Sequence, residues 1–224
     1  MINLITVCTD TYPMIYPRKL IKRFGELTNL EFRAYCITDR PDEISDIATP
    51  IESKVKAKGW WNKMHLYGPQ IPSGWCLYLD LDIVLCSNFD KEIQWTLEQD
   101  RPLAVVSDAI GWMNNKYSSS MMIFKSQSNL PIYERWLTSR KQLERFDGGD
   151  QVWTGQFVKD VLYIDEQFPN LKKNLKFHLG KKIFGEWQFP EYISNKIKMV
   201  DCGGHPKPHA ITNLEYITKN WHEV

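Results

Sequence analysis

Apolar and polar positions along the chain alternate between short strand-like runs and stretches of helical period. Residues 3–8 (Asn-Leu-Ile-Thr-Val-Cys) form a compact apolar run. The polar break Thr9-Asp10-Thr11-Tyr12-Pro13 then ends it, as strand-to-loop transitions do. Leu20, Ile21, Phe24 and Leu27 recur at helical spacing and predict a helix over 16–28. A second strand is expected at 32–38, closed by Asp39-Arg40-Pro41-Asp42. This strand–helix–strand opening favours an α/β chain with a mostly parallel sheet. Further along, the pattern predicts helix at 60–68, strand at 75–84, helix at 90–98 and strand at 102–107. Strand at 119–125 and a charged amphipathic helix at 129–144 follow. Asp147-Gly148-Gly149-Asp150 is expected to start another helix, with Asp150 as its N-cap. Beyond residue 160, Lys-rich and aromatic pieces precede a last strand at 196–201. With no repeat, low-complexity tract or linker, residues 1–224 read as one domain.

One run breaks the logic of an apolar core. Within Trp75-Cys76-Leu77-Tyr78-Leu79-Asp80-Leu81-Asp82-Ile83-Val84 two carboxylates sit where a core holds none. On a continuous strand Asp80 and Asp82 share one face, and Leu79, Leu81 and Ile83 share the other. Unpaired carboxylates out of water need compensation, and a hard divalent cation such as Mg²⁺ or Mn²⁺ is a strong compensator. In open α/β sheets ligands gather beyond the carboxyl ends of the strands. Thr9 to Tyr12, Asp80 to Asp82, and Asp108 all fall at such ends, which predicts one polar cleft.

Composition narrows the function classes. Hydrophobic content of 43% and charged content of 25% are ordinary for a globular domain. A formal net charge of +1 and the lack of a basic stripe give no footprint for nucleic acid. Five cysteines (Cys8, Cys36, Cys76, Cys86, Cys202) at spacings unlike a zinc site read as buried free thiols in a reducing compartment. The apolar start lacks a basic n-region, and no run approaches the roughly 18 apolar residues of a membrane span. These features predict a soluble, cytoplasmic protein.

Seven segments in order carry a family resemblance. They are Val-Cys-Thr-Asp-Thr-Tyr at 7–12, Trp-Asn-Lys-Met at 61–64, Leu-Tyr-Leu-Asp-Leu-Asp-Ile-Val at 77–84 and Asp-Ala-Ile-Gly-Trp at 108–112. Then come Tyr-Ser-Ser-Ser-Met-Met-Ile-Phe at 117–124, Gly-Asp-Gln at 149–151 and Gly-His-Pro-Lys-Pro-His at 204–209. Together they resemble GT-A glycosyltransferases of the glycogenin and lipopolysaccharide-galactosyltransferase type. The resemblance implies the GT-A fold and transfer of a sugar from a nucleotide-sugar donor, commonly a UDP-sugar, in a Mn²⁺- or Mg²⁺-dependent site. It places Thr9, Asp10 and Tyr12 in the nucleotide-receiving loop, with Tyr12 stacked on the base. Asp80 and Asp82 would hold the metal, and Lys63, Leu81, Ser119 and Lys207 would contact the donor. Asp150, Gln151 and Asp108 would act around the reacting sugar. For the third metal ligand, Asp201 and His205 both stand. The family's Asn-Ser-Gly is replaced here by Ser118-Ser119-Ser120, which leaves the local donor contacts open.

The acceptor (glycan, lipid-linked sugar, protein or small molecule) is not readable, and retention of configuration is only what the relatives imply. Bland readings remain beside these roles: a turn for Tyr12, a solvated lysine for Lys63, and helix or turn caps for Asp108 and Asp150. Lys172, Lys173, Lys181 and Lys182 read as a solvated face, with an acceptor-side or closing loop as the other reading. Two rival functions are a nucleotidyltransferase on a related sheet and a nucleotide-sugar-binding module without turnover. The first lacks support, because the loop after the first strand holds no glycine to cradle phosphates.

Overall fold

A computed structural model describes the chain except residues 10, 11, 54, 110, 112–115, 144, 145 and 147. The opening strand–helix–strand unit is present as β1 (Ile2–Cys8), α1 (Ile15–Leu27) and β2 (Phe32–Thr38). Helix α1 buries Leu20, Ile21 and Phe24 of the predicted stripe and also Tyr16, while Leu27 is half-buried. Then come β3 (Thr49–Glu52), a 3₁₀-helical segment over Gly59–Tyr67, β4 (Trp75–Leu79), β5 (Ile83–Leu85) and α2 (Asp90–Glu98). They are followed by β6 (Leu103–Ser107), β7 (Tyr117–Lys125), α3 (Leu130–Leu143) and α4 (Gly149–Gly155). Short strands follow, β8 (Leu162–Tyr163), β9 (Lys172–Asn174), β10 (Lys181–Ile183), β11 (Glu186–Gln188) and β12 (Met199–Asp201), and short helical segments between Pro208 and His222 come after them.

A seven-stranded sheet runs in the order β3-β2-β1-β4-β7-β6-β8. Its neighbours pair in parallel except at β7, which is antiparallel to both β4 and β6. Two reversals leave β4 and β6 pointing the same way, so β1, β4 and β6 end on one edge of the sheet. Successive residues alternate between two cores: Leu4, Leu77 and Leu79 enter one, while Ile5, Cys76 and Tyr78 enter the other. Helix α1 lies over the first face; Trp61, Met64 and Trp136, from the 3₁₀ segment and α3, cover the second. A three-stranded sheet, β5-β12-β9, packs its Val84, Leu85, Met199 and Val200 into the first core.

The predicted mixed α/β architecture is found, with local differences. The helix expected at 60–68 is 3₁₀, and the strand expected at 75–84 breaks at Asp80. All five cysteines are free, and only Cys86 is less than fully buried. Among the described residues no helix is long and apolar enough to cross a membrane.

Candidate functional site

Thr9 and Tyr12, after β1, are tied from outside. Arg40, which closes β2, donates through Nη2 to the carbonyls of Thr9 at 3.0 Å and Tyr12 at 2.7 Å. Asn62 donates to the Thr9 hydroxyl at 3.1 Å, tying this loop to the 3₁₀ segment. Asp10, expected in the same loop, lies outside the described residues.

The two central carboxylates do not alternate along a strand as expected. Strand β4 stops at Leu79, and the Asp80 N–H bonds the Ser120 carbonyl of β7 at 2.8 Å. The Ile83 N–H returns to the Asp80 carbonyl at 3.2 Å, closing a turn. From this turn the chain leaves the large sheet and enters β5 of the small one, so Asp80 and Asp82 sit where the two sheets part. Leu81 between them is buried.

Each acid meets a lysine. Lys63 Nζ lies 2.7 Å from Asp80 Oδ1 and 3.2 Å from the Ser119 hydroxyl. Lys207 Nζ lies 2.5 Å from Asp82 Oδ2 and 2.7 Å from the Tyr12 hydroxyl. Lys172 Nζ lies 2.9 Å from Asp201 Oδ2 and 2.7 Å from the Ser120 hydroxyl. Burial works against the Lys63 charge, but the carboxylates of Asp80 and Asp150 outweigh it and hold the ammonium above the usual lysine range. Lys207 is raised in the same way, with burial opposed by Asp82. Asp82 itself is pushed up by burial and by the charges of Asp80 and Asp201, against the pull of Lys207.

Two cavities meet at this turn. One, of about 360 Å³, is lined by Thr9, Tyr12, Trp60, Lys63, Tyr78 and the Asp80–Asp82 turn. The other, of about 240 Å³, is lined by Asp108, Gln151, Lys172, Phe177 and Asp201, and again by Asp80 and Asp82. The predicted cleft is thus a pair of chambers with the two acids as their common wall. The larger is of ligand size and carries an aromatic ring and a lysine.

The remaining predicted residues divide. Gln151 Oε1 accepts the Ser119 N–H at 3.3 Å, which places the Gln151 side chain beside β7. Asp108 lines the smaller chamber, whereas Asp150 is buried behind the walls and lines neither. Asp150 is also not the N-cap expected of it: Gly148 holds that position, and Asp150 is in the first helical turn. His205 is exposed and lines neither chamber.

A divalent cation suits Asp80 and Asp82 by donor chemistry, since paired carboxylate oxygens at a loop are hard-cation ligands. Among the described residues no three His, Cys, Asp or Glu side chains gather as a ready-made metal cage. The protein side therefore fits a cation that takes its other ligands from a bound ligand and water, as Mg²⁺ commonly does. Sequence reasoning missed Arg40, Trp60 and Lys172. Lys172 is one of several lysines in its stretch, and only the tertiary structure separates it from the exposed Lys181 and Lys182.

No family model matches the chain, and no curated protein matches it in sequence. Solved structures do match its fold. The galactosyltransferase LgtC in complex with donor and acceptor sugar analogs aligns over 99% of this chain and 96% of that one, with a TM-score of 0.67 at 12% identity. The glycosyltransferase GlyE of Streptococcus pneumoniae aligns over 99% of this chain and 60% of that one, with a TM-score of 0.70 at 14% identity. The bifunctional glycosyltransferase WbbM aligns over 98% of this chain and 49% of that one, with a TM-score of 0.61 at 12% identity. The chain has the GT-A fold.

Proposed function

We propose that this protein is a glycosyltransferase that moves a sugar from a nucleotide-sugar donor, a UDP-sugar, to a hydroxyl-bearing acceptor. One observation carries the reading: Asp80 and Asp82 form the shared wall of two adjoining chambers, at the edge where β1, β4 and β6 end. A donor is itself bipartite, with a diphosphate between a nucleoside and a sugar. The larger chamber offers Tyr12 as a stacking ring for the base, and Thr9 and Lys63 as polar contacts. Leu81 and Ser119 contact the donor beside the diphosphate.

A Mn²⁺ or Mg²⁺ ion held by Asp80 and Asp82 would supply Lewis-acid compensation for the departing diphosphate. Lys207, already at Asp82 and kept charged, offers its ammonium to the phosphate oxygens as a point charge. Asp108 accepts hydrogen bonds from sugar hydroxyls, and the Gln151 carboxamide, steadied by the Ser119 N–H, faces the sugar ring. The bond from the anomeric carbon to the phosphate oxygen breaks, one to the acceptor oxygen forms, and the acceptor's hydroxyl proton passes to the released diphosphate. Positive charge then grows on the sugar, and the buried Asp150 carboxylate, adjacent to Gln151 in the chain, offsets it from the protein side. His205 stays outside the assignment, given its exposure.

The test is UDP release from a panel of UDP-sugars with and without Mn²⁺. The reading expects release from at least one donor, stimulated roughly tenfold or more by the metal. Binding of UDP-sugars without any release would make the chain a binding module instead.

A further inference from the structure

Lys172 and Asp201 lie on neighbouring parallel strands, β9 and β12. Lys172 is 6% exposed and Asp201 7%. A lysine charge withdrawn this far from water is expensive unless paired and hydrogen-bonded. Here both conditions hold: Lys172 Nζ reaches Asp201 Oδ2 at 2.9 Å and the Ser120 hydroxyl at 2.7 Å. The other Asp201 oxygen accepts the Gly203 N–H at 2.8 Å. Both oxygens of this carboxylate are therefore engaged within the small sheet and the turn that follows it. Burial alone would raise the Asp201 carboxyl, yet Lys172 and the Gly203 N–H hold it below the usual range.

This pair lines the smaller chamber, beside Asp108 and Gln151 and across from Asp80 and Asp82. An ammonium carries three donors, and Ser120 and Asp201 take two of them. Resting on the transferase reading above, we propose that Lys172 donates its third hydrogen bond to a hydroxyl of the donor's sugar, and that Asp201 serves this ammonium rather than a metal ion. The pair is neutral as a unit, and the same chamber holds three further carboxylates, Asp80, Asp82 and Asp108. The pair therefore offers the sugar a hydrogen-bond donor without adding net charge to the chamber.

The test measures binding, by calorimetry, of UDP, UDP-glucose and UDP-galactose in Mn²⁺, together with Mn²⁺ affinity in the presence of UDP by electron paramagnetic resonance. Lys172→Met alone would leave the buried Asp201 carboxylate unpaired, so the double variant Lys172→Met/Asp201→Asn is used. It should weaken the better-bound UDP-sugar about tenfold relative to UDP, while UDP itself changes less than about twofold. Equal effects on UDP and on the UDP-sugars would overturn the sugar contact. Asp201→Asn alone leaves a buried lysine unpaired and risks unfolding, so the metal arm uses the same double variant, which removes both charges. That variant should keep Mn²⁺ affinity within about twofold of wild type, whereas Asp82→Asn should lose about tenfold or more. A double variant as weak for Mn²⁺ as Asp82→Asn would make Asp201 a metal ligand and end the proposal. Failure of the unaltered chain to bind UDP with Mn²⁺ is a separate result, and it removes the transferase reading itself.

Discussion

Asp82 is held in place by its surroundings at a net electrostatic disadvantage. Burial and the charges of Asp80 and Asp201 push its carboxyl up, and Lys207 only partly reverses this. An acid whose pKa is raised on folding favours the native state below its ordinary range and loses that favour as pH rises through the raised value. Asp82→Asn removes the term, so at pH 8 the variant should match or exceed the wild-type Tm. The gap should close as pH falls through the raised value and the wild-type carboxyl takes up its proton, and calorimetric scans down from pH 8 check the sign. The same variant should lose Mn²⁺-dependent UDP binding about tenfold or more. A variant that unfolds, with metal-independent UDP binding in the wild type, would make these carboxylates structural. At this scale the sequence was informative because carboxylates inside an apolar run are conspicuous. Their lysine partners were not legible. Lys63, Lys207 and Lys172 lie 17, 125 and 29 positions from the acids they meet, and no local pattern encodes such pairings.

Strands and helices with long, regular periods were read nearly to the residue, as at α1, β2 and α2. Errors collect where an element is too short to show a period or is reshaped by tertiary contacts. Strands β8 to β11 are two or three residues each, below what alternation can reveal. The orientation of β7 depends on its partners β4 and β6, so its antiparallel sense has no local signature. Helix α4 is a third case. Gly149, its first residue, has φ of +64°, a conformation costly for side chains with a Cβ. A Cβ there would also stand 3.2 Å from the Trp60 indole nitrogen, at the rim of the larger chamber. Gly149→Ala should therefore destabilise the protein by about 1–2 kcal/mol, a Tm decrease of roughly 2–8 °C for a chain of this size. Gly149→Asn, a residue more tolerant of positive φ, should lose less backbone energy than Gly149→Ala. A loss in Gly149→Ala below about 0.5 kcal/mol would mean that the backbone at this helix start relaxes freely.

For the whole molecule, the two cores on opposite faces of one sheet raise the question of whether they open together. Buried thiols report on both: Cys8, Cys36 and Cys202 belong to one core and Cys76 to the other. Burial pushes the Cys8 and Cys76 thiols up to about 12 and Cys36 to about 11, so native reaction with a disulfide reagent at pH 8 requires opening. Because β1, β2, β4, β6 and β7 each contribute side chains to both cores, we propose that the chain unfolds as one unit. Residue-resolved thiol labelling by mass spectrometry should then give Cys8, Cys36, Cys76 and Cys202 opening free energies within about 1 kcal/mol of one another. The half-buried Cys86, also raised by burial, serves as the more accessible reference. If Mn²⁺ and UDP bind only the folded chain, saturation to about 100 times Kd should add about 2.7 kcal/mol to all four openings and slow each roughly a hundredfold. A Cys76 that labels far faster than Cys8, or that ligand leaves unprotected while Cys8 is protected, would show that the α3 face opens alone. The chambers would then sit on a boundary between two cooperative units.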